Sequence, residues 1–124
     1  MGESLFDRVQ PHSLEAERAV LGACLLDRDA LLSATEILEP EDFYDLHHRD
    51  FFALVEDMAR KDLPVDPLTL WEEISRHPGM GERLGGQGFL AAVVDSVPTT
   101  ANVEWHARII RSKALRRRLI AAGG

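Results

Sequence analysis

The sequence predicts an all-α domain, a compact bundle of about five to six helices that ends in one long helix. Apolar residues recur at helical spacing in one segment after another, turn residues separate the segments, and no convincing strand interrupts them. The chain has 124 residues, 45% hydrophobic and 28% charged, which fits a single soluble domain with one core.

The first helix is expected to start at Ser13, whose hydroxyl can cap free backbone amides while Glu15 and Glu17 complement the positive end of the helix dipole. Leu14, Leu21 and Leu25 fall on one side. Ala16, Ala19, Gly22 and Ala23 run beside them, small residues that let another helix approach closely. Gly22 costs about 1 kcal/mol of helix propensity relative to alanine, so it calls for a packing reason.

Asp29 can cap a second helix with Leu31, Thr35 and Leu38 on its apolar side and Ala34 and Ile37 next to them. Glu39 precedes Pro40, which pushes it out of helical geometry and closes the helix. Residues 40–44 then form a turn that drops Phe43 toward the core. A third helix over residues 46–60 buries Phe51, Phe52, Val55, Met58 and Ala59 and is expected to be the central one.

Asp66-Pro67 reads as an N-cap followed by proline at the first helical position, where a missing N–H does no harm. Leu70, Trp71 and Ile74 line this fourth helix. His77-Pro78-Gly79 ends it, and a glycine-rich loop runs to Gly88. A short fifth helix carries Phe89, Leu90, Val93 and Val94 to Val97, where Pro98 stops it. Thr99 or Thr100 caps a last helix over residues 101–122, roughly 30 Å long at the helical rise of about 1.5 Å per residue.

Charge is unevenly placed. From Arg108 onward there are six Lys or Arg and no acid, whereas the first 107 residues hold eight bases and 21 acids. Phosphate binding needs clustered bases, so nucleic acid is not the expected partner of the acidic body. No apolar run approaches the roughly 18 residues of a membrane helix. The acidic start, Met1-Gly2-Glu3-Ser4-Leu5-Phe6, resembles neither a basic signal sequence nor a myristoylation signal, which wants Ser or Thr at Phe6. The lone Cys24 allows no intrachain disulfide, which points to a reducing compartment and the cytoplasm.

No motif carries a complete chemistry. Gly81 and Gly86 have phosphate-loop spacing, but Gln87-Gly88 replaces the lysine and hydroxyl residue that the phosphates and magnesium require. The alternative is a turn that lets Phe89 reach the core. His47 and His48 beside Asp45 and Asp50 could suggest a metal, yet adjacent helical residues diverge by about 100°, so a capped helix start explains them better. Glu15 with Glu17, and Glu41 with Asp42, stand where helix starts and turns favour acids. Cys24 lies on an apolar face without a nearby base. Catalytic, cofactor-binding and metal-binding residues are therefore expected to be absent.

Five patterns stand in one order: Leu14-Glu15-Ala16-Glu17 running into Val20-Leu21-Gly22-Ala23; Pro40-Glu41-Asp42-Phe43-Tyr44 with His48-Arg49; Pro64-Val65-Asp66; Leu84-Gly85-Gly86 with Phe89-Leu90; and Pro98 leading to Ala101-Asn102. Each alone is weak, but the ordered set resembles the N-terminal domain of the bacterial DnaB-type replicative helicase over nearly all of the chain. That resemblance implies an assembly and primase-docking module of a hexameric DNA helicase. The ATP, the magnesium and the grip on single-stranded DNA would belong to a motor domain elsewhere in the parent, and a helicase loader is a further implied partner. It also implies a flexible arm over residues 1–12, a globular domain over 13–98, and the first arm of a helical hairpin over 99–124, cut before its second arm and linker.

The last helix offers the expected contact surface. Ile109, Ile110, Leu115, Leu119 and Ile120 occupy more than one side of it, and a single domain can cover only one side. Self-association is expected through the rest. The alternative is a small helical domain that binds nucleic acid through Arg116-Arg117-Arg118, a run that otherwise reads as a solvated face complementing the helix dipole. An enzyme ranks third.

Overall fold

The structure, a computed structural model, describes residues 10–95 and 100–123 and is helical throughout, without a strand among them. Seven α-helices follow one another: α1 (Leu14–Leu26), α2 (Arg28–Ile37), α3 (Leu46–Arg60), α4 (Pro67–Ser75), α5 (Met80–Arg83), α6 (Gly86–Asp95) and α7 (Val103–Gly123), with a 3-10 turn at Pro40–Asp42. The arm expected over the first residues, the stop at Pro98 and the cap at Thr99 lie largely or wholly outside the described residues. No described helix is long and apolar enough to cross a membrane.

Local chemistry sets the helix starts. The Ser13 hydroxyl accepts from the Ala16 amide at 3.2 Å, and Asp66 and Thr69 cap α4 reciprocally at 2.8 and 3.0 Å with Pro67 at the first position. Asp27, and not Asp29, caps α2, because the chain is extended only at Asp27 and its carboxylate accepts from the Asp29 amide. α3 stops where Asp62 takes a left-handed φ of 58° and the Leu63 amide bonds back to the Met58 carbonyl.

The central helix is α1 and not α3. It packs against α2, α3, α6 and α7, and its stripe of Ala16, Ala19, Gly22 and Ala23 is buried by these neighbours. α3 presents a single face, with Phe51, Phe52, Val55 and Met58 inward and Ala59 only half-buried. Phe43 is fully buried and meets Phe52 at 4.9 Å between ring centroids. The expected glycine-rich loop contains the short α5, and Gly85 beyond it has a φ of 95°. A Cβ there would lie 2.9 Å from the Cβ of Phe89, so both the turn and the approach of Phe89 need glycine. Core packing runs on into α7, where Val103, Ala107, Ile110 and Ala114 are buried.

Candidate interaction surface

Two buried carboxylates organise the turn that joins α2 to α3. Glu17 takes the amides of Tyr44 and Asp45 at 2.8 and 3.3 Å, and His48 Nδ1 lies 2.7 Å from its Oε1. Both of its oxygens have partners, the condition under which a charge is tolerated inside. The sequence reading gave Glu17 only a role at the helix dipole. A stronger signal was present: Glu17 follows Leu14 by three and precedes Leu21 by four, which places it on the buried stripe.

Asp42 is the second carboxylate. Its Oδ2 accepts from the Glu39 amide at 2.8 Å, and its Oδ1 accepts from Arg111 at 2.9 Å and Arg118 at 2.7 Å. Arg117 donates to the carbonyls of Asp42 and Pro11 at 2.7 and 2.6 Å. Its guanidinium sits 5.4 Å from the centre of the Tyr44 ring, which stacks on His12 at 4.1 Å. Burial lowers the Arg117 pKa; the Glu17 carboxylate opposes this while Arg49 and Arg118 add to it, and the guanidinium stays charged. Arg117, half-buried, is therefore not part of the solvated face expected of the basic run, and Arg118, though exposed, is paired with Asp42.

The two histidines are likewise engaged within the chain, His48 with Glu17 and His47 through Nδ1 with the Arg83 carbonyl at 2.7 Å. No group of three or more His, Cys, Asp or Glu that could hold a metal occurs among the described residues. Burial pushes the Cys24 thiol up to about 12, which keeps it protonated and inert near neutrality.

The outer side of α7 is accessible. Of the five residues expected there, Leu115, Leu119 and Ile120 are exposed and Ile109 is half-buried. Ile110 is a correction: it is buried in the domain's own core, because it shares the inner face with Val103, Ala107 and Ala114 at spacings of three and four. Trp105 was missed. It is 70% exposed and leads a stripe through Ile109, Ser112, Arg116 and Leu119 whose steps of four and three residues could have revealed it. A shallow groove of about 440 Å³ runs along this side, lined by Trp105, Arg108, Ile109, Ser112, Lys113 and Arg116. A stripe of apolar residues with Arg108, Lys113 and Arg116 among and beside them suits a helix of another protein surface better than a small molecule.

The chain is similar to known proteins in both sequence and fold. Residues 9–112 match the family model described as the DnaB-like helicase N terminal domain. The replicative DNA helicase DnaB of Geobacillus stearothermophilus is 45% identical over 97% of this chain, and the chain spans 26% of that relative's length. The crystal structure of the N-terminal domain of DnaB helicase from Mycobacterium tuberculosis superposes with a TM-score of 0.87 at 38% identity, covering 93% of this chain and 83% of that one. A DnaB-like replicative helicase whose structure is described with its interactions with primase superposes at 0.74 and 27% identity, over 88% of this chain and 25% of its own. With a family match over most of its length and a fold shared at high identity, the chain belongs to the DnaB-like helicase N-terminal domains.

Proposed function

We propose that this chain is the assembly and primase-docking domain of a hexameric replicative DNA helicase, and that it joins neighbouring subunits through the outer side of α7. The observation that carries the reading is the two-sided character of α7: its inner face is consumed by the core, and Trp105, Leu115 and Leu119 stand outside with nothing of this chain over them among the described residues. Burying each such side chain contributes about 1.5–3 kcal/mol before the cost of association, enough for weak pairing of isolated domains. The domain itself uses no cofactor in this reading; ATP with magnesium, and single-stranded DNA, act at the motor of the parent protein, in the cytoplasm. The primase partner is carried over from the relative described with it.

Nucleic-acid binding by the basic helix is the weaker reading. Three of its six bases, Arg111, Arg117 and Arg118, are spent on Asp42 and its neighbours, which leaves too few for a phosphate track.

Sedimentation tests assembly. Replacing Leu115 and Leu119 by serine shifts the chain toward monomer while its helical circular dichroism stays the same; an unchanged sedimentation profile would place the interface elsewhere. Adding the C-terminal part of the cognate primase shifts backbone NMR resonances, and no shift at high primase concentration would remove the docking role.

A further inference from the structure

The geometry points to a latch built around Asp42 that fixes the angle at which α7 leaves the domain. Its parts come from three separate places in the chain: the residue 10–12 segment, the turn at Asp42–Tyr44, and α7 from Arg111 onward.

Past Ala114, no residue of α7 is buried, and only Arg117 is even half-buried. Among the described residues, the polar contacts of this stretch to the body are those of Arg117 and Arg118, to Asp42, Pro11 and the Tyr44 ring. Arg111, one and a half turns or more before them, reaches the same Asp42 oxygen as Arg118. The apolar seat beneath α7 is smooth by comparison. Two of its four buried residues are alanines, Ala107 and Ala114, and small side chains interdigitate little, so they resist rolling or tilting of a helix weakly. Directional charge-assisted hydrogen bonds supply what the seat lacks. Because an α-helix transmits orientation along its length, a bond at Asp42 decides where Leu115 and Leu119 point.

The turn is suited to be the fixed half of such a latch. Asp42 is tied to the Glu39 amide, Tyr44 is tied through its amide to Glu17, and Arg49 donates to the Phe43 carbonyl at 2.7 Å. Body and arm are thus joined through a rigid acceptor that can be released without opening the apolar core. The latch stands on these contacts alone; its consequence, that it sets how neighbouring subunits meet, rests on the assembly reading.

Electron–electron distance measurement between spin labels at Ala53→Cys on α3 and Ala121→Cys on α7 tests it. Both sites are exposed, Cys24 is buried and stays in place, and dilution into unlabelled protein keeps the distance within one chain. The parent gives one narrow distance. Arg117→Met with Arg118→Met, and separately Asp42→Asn, at least double its width or add a second distance, with helical circular dichroism of the body retained. An unchanged narrow distance in the folded double variant overturns the latch, since the apolar seat alone would then fix the arm. Failure of both variants to fold overturns it too, because a latch is dispensable to the body. Self-association is read separately by sedimentation, so either idea can fail without the other.

Discussion

Helix α1 buries nine of its 13 residues and packs against four other helices, whereas α7 buries four of 21 and turns most of its length outward. Neither has the one-sided apolar stripe of α3, and the reasons are opposite. In α1 most of the circumference is inside, with only Glu15 and Leu26 exposed; in α7 apolar residues lie on two opposite faces, of which this domain covers one. Weak amphipathicity therefore marks either the centre of a fold or a helix shared with a partner. The polar residues tell the two apart, since α1 admits one internal carboxylate matched to donors while α7 carries six bases at its rim and end.

The largest test of this contrast strikes that internal carboxylate. Glu17→Ala strands the Tyr44 and Asp45 amides and His48, and is expected to cost about 3–5 kcal/mol in urea unfolding. A loss below 1 kcal/mol would mean that water replaces the carboxylate and that α1 is less sealed than its burial indicates. Next comes a matched pair of leucines. Leu21→Ala, in a fully buried site, costs about 2–5 kcal/mol, and Leu119→Ala, at a site 72% exposed, stays within about 0.5 kcal/mol at concentrations where the chain is monomeric. Similar losses at both sites would erase the distinction between the helices.

The smallest effect near neutrality belongs to Cys24. With its pKa pushed from 9.0 up to about 12, the folded chain keeps the thiol protonated where the unfolded chain ionises it. Its contribution to stability is thus whole below pH 9 and declines as pH rises toward 12. Near pH 8 a thiol reagent reacts with Cys24 only at the rate of opening, which rises with denaturant. Fast reaction in native buffer would show that α1 opens locally.

Much of the architecture was legible because local rules and packing agree. Ser13, Asp66-Pro67, the stripe of Phe51, Phe52, Val55 and Met58, and the inward Phe43 follow from capping, fixed proline geometry and helical period, which need no knowledge of distant residues. The family resemblance was legible for the same reason, as turn and cap residues in a fixed order. What escaped depends on contacts between segments far apart in sequence. Nothing near Asp42 announces that Arg111 and Arg118 reach it, and Ile110 looks as available as Ile109 until the side of α7 that meets α1 is known. Glu17 and Trp105 were different, since helical spacing alone would have placed both.

The seating of α7 between α1 and α2 also fixes the order of events during synthesis. Val20 and Ala107, both buried, are made some 90 residues apart, which at ribosomal rates of ~5–20 residues per second is about 5–20 s. For that interval the emerging chain holds α1 with one side still bare, apolar and wet. Helix α7 closes α1, so a nascent chain shorter than about 115 residues lacks a finished core in this domain and is the form that chaperones and proteases meet.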